Sequence, residues 1–153
     1  MAHRTTLNAA ETAFVLKQRV ARLATADENG NPHVIPVCYA FDGTRFYTPL
    51  DEKPKRVSGR QLRRVHNIEA RPEVALVIDQ YADDWSQLGY VLVHGRAELI
   101  EPTHELHRQA LLLLRERYVQ YRTMALEQYP VIVIIPQRIS SWGPAIHEAD
   151  KPT

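Results

Sequence analysis

A single cysteine, Cys38, is present in 153 residues, so no internal disulfide can staple the fold. No apolar run approaches the roughly 20 residues a membrane-spanning helix needs. Charge of one sign is lacking too: 19 basic and 18 acidic side chains leave a formal net charge of +1, too little for a global field that would draw the protein onto nucleic acid or an anionic membrane. The opening Met-Ala-His-Arg-Thr-Thr has no apolar secretory core, and a reducing cytoplasm is the expected compartment. Gly-x-Ser-x-Gly, a Gly-rich phosphate loop and His-Glu-x-x-His are all missing, which leaves nucleophilic hydrolysis, nucleotide hydrolysis and zinc proteolysis without support.

What is present suffices for one core. With 44% hydrophobic residues, the chain reads as a single domain over residues 1–153. Asn8 and Glu11 form an Asn-x-x-Glu capping pattern, and Ala13, Phe14, Leu16 and Val20 follow as an apolar stripe on a helix of about three turns. Asn29-Gly30 and Asp42-Gly43 are two-residue hairpin signals that divide residues 20 to 48 into three short strands. Pro36 inside the second of these calls for an edge or a bulge.

Residues 56 to 70 are weakly helical and end at Arg71-Pro72. Val74 to Asp79 and Tyr90 to Leu99 read as strands, with Gly95 allowing a bend or close approach. A long helix is expected from Pro102 and Thr103 to about Leu126, with Leu106, Ala110, Leu113, Leu114 and Tyr118 inward. Val131 to Ile135 is the last core strand, continued by Gln137 to Trp142 after Pro136. Six or so antiparallel strands with flanking helices predict a mainly β fold, a small barrel.

One local feature stands out against the neutral background. Lys53, Lys55, Arg56, Arg60, Arg63 and Arg64 follow one another with no acidic residue until Glu69. Such a run is either a solvated helical face or a rim for phosphate or carboxylate, which arginine forks suit. His33, just after Pro32, is either a surface-facing strand histidine or a ring contact and proton donor. Cys38, without an activating motif, reads as a packed small hydrophobe. Trp85, behind Asp83 and Asp84, stacks on a cofactor, packs across a subunit boundary or anchors its loop. His104 and His107 lack a convergent third ligand and read as a solvated pair, so no metal site is expected.

Several stretches resemble the pyridoxamine-phosphate-oxidase-like split-barrel superfamily of flavin and deazaflavin proteins. These are Ala21 to Ala26, Gly30 to Val37, Leu62 to Ile68 with Arg71-Pro72, and Asp83-Asp84-Trp85-x-x-Leu88 before Gly95-Arg96-Ala97. Together they span roughly residues 10 to 142. The last two resemble the branch assigned to coenzyme F420.

The resemblance implies an FMN-binding-type split barrel, homodimeric, with cofactor at the subunit interface. His33, Val34, Ile35, Pro36 and Val37 would flank the ring. Thr48, Lys53, Lys55, Arg56 and Arg64 are the implied phosphate ligands, with Asn67 beside them and Trp85 nearby. Counting back from Asn67-Ile68 selects Arg64, and counting forward from Thr48 selects Lys53 or Lys55. The implied activity is hydride transfer between reduced coenzyme F420 and an unsaturated small organic substrate, without a catalytic residue of the protein's own. The alternatives are an FMN-dependent oxidase or reductase and a non-catalytic cofactor-binding protein. Arg138, Trp142 and His147 only partly echo the substrate-binding arrangement of the pyridoxamine phosphate enzyme.

Overall fold

A computed structural model describes residues 3–50 and 62–147. Helix α1 (Ala9–Lys17) starts as expected: the Asn8 side chain accepts from the Glu11 N–H while the Glu11 carboxylate accepts from the Asn8 N–H. Its buried face differs from the expected stripe. Ala10, Glu11, Phe14 and Val15 are buried, whereas Ala13, Leu16 and Val20 are exposed. The helix is turned because Arg4 draws the Glu11 carboxylate inward with a two-pronged ion pair, and the Arg4 carbonyl accepts from Ile139 N–H at 2.9 Å.

Seven strands form one antiparallel sheet among the described residues: β1 (Ala21–Ala26), β2 (Pro32–Val37), β3 (Ala40–Phe41), β4 (Phe46–Pro49), β5 (Glu73–Gln80), β6 (Gly89–Ile100) and β7 (Val131–Trp142). Their spatial order is β2-β1-β5-β6-β7-β4-β3. Strands β2 and β3 therefore occupy opposite edges, yet only Cys38 and Tyr39 separate them. So short a link spans roughly 10 Å. The sheet must curl until its edges approach, which makes it a split barrel.

This link corrects the expectation of three strands between residues 20 and 48, since four are present. The second expected strand breaks at Tyr39. That side chain is 1% exposed, with its hydroxyl 2.5 Å from the Val15 carbonyl and its N–H donating to the Tyr118 hydroxyl at 3.1 Å. Anchored from both sides, Tyr39 leaves the first edge and leads the chain to the other. The hairpins also differ from two-residue turns, because only Gly30 and Gly43 have positive φ, not Asn29 or Asp42. Asp27 and Asp42 instead organise longer loops by accepting N–H groups of Asn29 and Asn31, and of Thr44 and Arg45.

Pro36 lies on an edge strand, where its missing donor costs nothing. Gly95 marks a register shift between β6 and β7, and a Cβ there would meet the Ile135 carbonyl at 2.6 Å. Inside the curl, Leu23, Leu76, Ile78, Val91, Val93, Ile132 and Ile134 pack with Phe14 and with Val65 and Ile68. The latter two belong to α2 (Arg63–Ala70).

A second cluster lies outside the curl, where α3 (Glu105–Arg117) sets Ala110, Leu111 and Leu114 with Tyr47, Val131 and Val133. This helix ends earlier than expected. Its Arg115 guanidinium binds the carbonyls of Tyr121 and Met124, folding the chain back through 3₁₀ turns at Val119–Arg122 and Leu126–Gln128. A short α4 (Pro144–His147) follows β7. No helix among the described residues is long and apolar enough to cross a membrane.

Candidate cofactor site

Strands β1 and β2 pair so that Thr25 faces His33 and Leu23 faces Ile35. Alternation then divides the five β2 residues singled out in the sequence. His33, Ile35 and Val37 share the inner face with Thr25 and Leu23, while Val34 and Pro36 point outward and are exposed. A ligand on one side of this strand meets one set or the other.

Thr25 is a polar side chain at an inward position, 4% exposed. A buried hydroxyl needs a partner, and it accepts from the Asn67 amide at 3.0 Å. Asn67 is itself 2% exposed. The bond fixes α2 against β1 at the end of the barrel where His33 lies. Sequence reading included Asn67 but missed Thr25. The available signal was a threonine in phase with Leu23 on a strand whose inner face is apolar.

The start of α2 is electrostatically unusual. Its N-cap, Leu62, makes no side-chain capping bond and its first turn contains no acid. Arg63 and Arg64 stand there instead, against the positive end of the helix dipole. Both act on His33. Burial and then the charges of Arg63 and Arg64 hold its imidazole below the usual histidine range. Its Nδ1 is buried with no hydrogen-bond partner among the described residues. A helix start, two guanidinium groups and an imidazole nitrogen without a partner among the described residues together suit an anion linked to a polar ring.

The other expected residues are distributed unevenly. Thr48 is 2% exposed and alternates with Tyr47, so it faces into the curl from β4, which pairs with β7 rather than with β1 or β2. Lys53, Lys55 and Arg56 lie outside the described residues, as does Arg60. Trp85 is 70% exposed on a 3₁₀ turn capped by Asp84, whose carboxylate accepts from Ser86 N–H. That turn follows the far end of β5, about 20 Å along the strand from the residues beside Thr25. Within one chain, Trp85 and the His33 group stand at opposite ends of the barrel.

Two other histidines change reading. His107 is 2% exposed and its Nε2 lies 2.7 Å from the Tyr129 carbonyl, whereas His104 caps α3 by accepting from Leu106 N–H. They are a packed residue and a cap, not a solvated pair. Cys38 is half-buried beside the α3 cluster. Among the described residues no group of three or more His, Cys, Asp or Glu side chains could hold a metal ion.

A family model described as pyridoxamine 5'-phosphate oxidase matches residues 7–143. The chain belongs to that family. No curated protein matches the sequence. Solved structures do: a haem storage protein from Vibrio cholerae is 16% identical, covering 86% of this chain and 90% of its own, with a TM-score of 0.67. A FAD-binding protein from Mesorhizobium loti is 25% identical over 89% and 93% of the two chains, with a TM-score of 0.63. A protein titled F420 reductase is 20% identical over 88% and 98%, also with a TM-score of 0.63. Haem, FAD and F420 are thus each associated with a protein of this one fold, so the fold does not select among them.

Proposed function

We propose that the protein holds a phosphorylated ring cofactor at the α2 end of its barrel and uses it to move hydride to or from an unsaturated small organic substrate. Coenzyme F420 is the favoured cofactor and FMN the alternative. The observation that carries this reading is the acid-free first turn of α2, where the charges of Arg63 and Arg64 bear on His33, whose Nδ1 has no partner among the described residues. Coenzyme F420 carries a phosphodiester and a glutamate tail, and FMN a terminal phosphate; either brings an anion of the kind arginine forks suit.

Hydride chemistry is what the bound cofactor contributes. The chain's own residues bind and orient. Arg63 and Arg64 neutralise the anion, the Thr25–Asn67 bond keeps α2 on β1, and His33 and Ile35 present a polar and an apolar group from one face of β2. Lys53, Lys55 and Arg56 precede this helix and would extend the cationic rim.

A homodimer is part of the same proposal. Val34, Tyr90 and Trp142 are 60%, 37% and 52% exposed on the outer face of the sheet, and Tyr90 and Trp142 are neighbours with ring centroids 6.1 Å apart. Exposed aromatic and aliphatic side chains on this face, beside the Arg22–Asp79 ion pair, support a second copy as its cover.

Side-by-side titration of the apo-protein with coenzyme F420 and FMN, followed by tryptophan fluorescence and thermal stability, tests the cofactor. A ligand that binds only the folded state raises apparent stability. Salt-sensitive preference for coenzyme F420 supports the leading reading, preference for FMN selects the alternative, and binding of neither overturns both. Reduced cofactor that binds but passes hydride to no acceptor in a substrate screen makes the protein a carrier. Sedimentation at micromolar concentration tests the dimer.

A further inference from the structure

A cavity of about 380 Å³ opens at the other end of the β1–β2 hairpin, between the start of β1, the Cys38–Tyr39 link and the 3₁₀ turn after α3. Val20, Cys38, Tyr118, Tyr121 and Met124 make its walls mostly apolar. Along extended chain Cys38 lies about 17 Å from His33, so this cavity is separate from the α2 end of the barrel. The Tyr118 hydroxyl is already committed, accepting from the Tyr39 N–H and donating to the Arg19 carbonyl at 2.7 Å. What Tyr118 offers the cavity is therefore its ring. The Tyr121 ring stands 5.4 Å from it, centroid to centroid. Two aromatic rings with a thioether and a thiol form a polarisable wall that suits a flat ring.

Arg19 supplies the charge. It lines the same cavity, with its guanidinium carbon 4.9 Å from the Tyr118 ring centroid and one N–H donating to the Arg117 carbonyl at 2.6 Å. No acidic side chain pairs with it among the described residues. The carbonyl and the ring hold the fork in place, and its remaining N–H groups suit a carboxylate.

We propose that this cavity binds a small planar carboxylate, an aromatic acid of one or two rings, with its ring against Tyr118, Tyr121 and Met124 and its carboxylate on Arg19. A cavity of this size is at the small end of the range for small-molecule sites, which sets the limit of two rings. The site owes nothing to the cofactor at the α2 end. Tyr118 also anchors Tyr39, where the chain passes from one sheet edge to the other. A ligand seated on Tyr118 braces that closure and raises apparent stability.

The probes are naphthoate and its uncharged amide, naphthamide. The chain has two methionines, Met1 and Met124, and one cysteine, so a labelled methionine methyl and the alkylation rate of Cys38 both report on this cavity. Met124→Leu assigns the methyl resonance. Millimolar naphthoate should shift that resonance by ring current, slow alkylation by iodoacetamide about threefold or more, and raise Tm. Naphthamide should bind about tenfold more weakly. Arg19→Gln should remove the difference between the two probes, and Arg19→Lys should restore part of it. Val20→Trp, placed at an exposed wall position, should abolish binding of both while the protein melts within a few degrees of the parent.

An unmoved Met124 methyl with an unchanged Cys38 rate would overturn the site. Equal affinity for naphthoate and naphthamide, or a preference that survives in Arg19→Gln, would overturn its assignment to an acid. Protection of Cys38 that grows with protein concentration and ignores naphthoate would show a second copy covering this face instead. Protection of Cys38 by coenzyme F420 or FMN would make the cavity part of the cofactor site and overturn it as a separate one. Failure of both cofactors to bind, with naphthoate still shifting Met124, would remove the cofactor proposal and leave this one standing.

Discussion

The arginines at the start of α2 and those at the end of α3 are the same residue type in opposite circumstances. Arg115 and Arg117 occupy the last turn of α3, where the helix dipole welcomes a cation. Arg115 donates to the carbonyls of Tyr121 and Met124 at 2.9 and 2.8 Å and pairs with Glu127. Arg117 donates to the carbonyls of Leu16 and Gln18, at and just past the end of α1, and lies 4.9 Å from the centroid of the Tyr39 ring. Arg63 and Arg64 sit against the dipole at a helix start with no acidic neighbour in the first turn. A cation whose surroundings already favour it holds the fold together. One whose surroundings oppose it is placed for something that arrives.

The largest effect that contrast predicts is on stability. Arg117→Ala removes bonds to the Leu16 and Gln18 carbonyls and one to the Tyr118 hydroxyl, along with stacking on Tyr39 and Tyr118. The loss should be roughly 2–3 kcal/mol, lowering Tm by roughly 6–10 °C, while the folded fraction binds cofactor as before. A shift below about 2 °C would break the comparison on its structural side.

A smaller loss is expected where the site meets the core. Thr25→Val keeps the volume but leaves the Asn67 amide buried without the acceptor it has now. Urea unfolding should show about 1–2 kcal/mol of destabilisation, with weaker cofactor binding because α2 loses its tie to β1. Unchanged stability together with unchanged affinity would mean that the bond positions nothing.

Asp42 gives a pH-dependent case of a charge satisfied by its own fold. Burial would raise its pKa, but hydrogen bonds from the Tyr47 hydroxyl, the Arg45 and Thr44 N–H groups and the Thr44 hydroxyl outweigh that and bring it to about 2. A carboxyl depressed from its ordinary 3.8 adds stability that is fully present above that value and is lost as pH falls towards 2. Discounted for the solvent screening of an exposed loop, the contribution is about 1 kcal/mol, and Asp42→Asn should flatten this acid limb of the stability profile by that amount. An unchanged limb would show that the loop does not hold the ionised form.

Much of this was legible from residue order. The Asn8–Glu11 box, the edge position forced by Pro36 and the close approach at Gly95 each follow from local chemistry, and the structure contains all three. The fate of the second strand was not legible. Its break depends on Tyr39 meeting Tyr118 and the end of α1, partners 79 residues ahead and up to 24 behind, which no local pattern contains. The same holds for the turned face of α1, set by Arg4 and the Ile139 strand, and for His107, whose carbonyl partner lies 22 residues away. At the site, the cationic run was visible but not what it meets. The Thr25–Asn67 bond supplies that, setting α2 against β1 so that the charges of Arg63 and Arg64 bear on His33.

The smallest effect is the most diagnostic because its sign differs between the two ends. Arg63 is exposed at a helix start that disfavours it, and Asp27, which feels its charge, sits in a surface loop already engaged by Asn29 and Asn31. Arg63→Gln should therefore leave Tm unchanged or raise it slightly, by the equivalent of about 0.3 kcal/mol, while cofactor affinity falls and loses part of its salt dependence. The matching change at the other end, Arg117→Gln, should lower Tm by several degrees without touching the salt dependence. If Arg63→Gln destabilised the fold as Arg117→Gln does, the α2 arginines would be structural too, and the anion site would have to be sought elsewhere on the barrel.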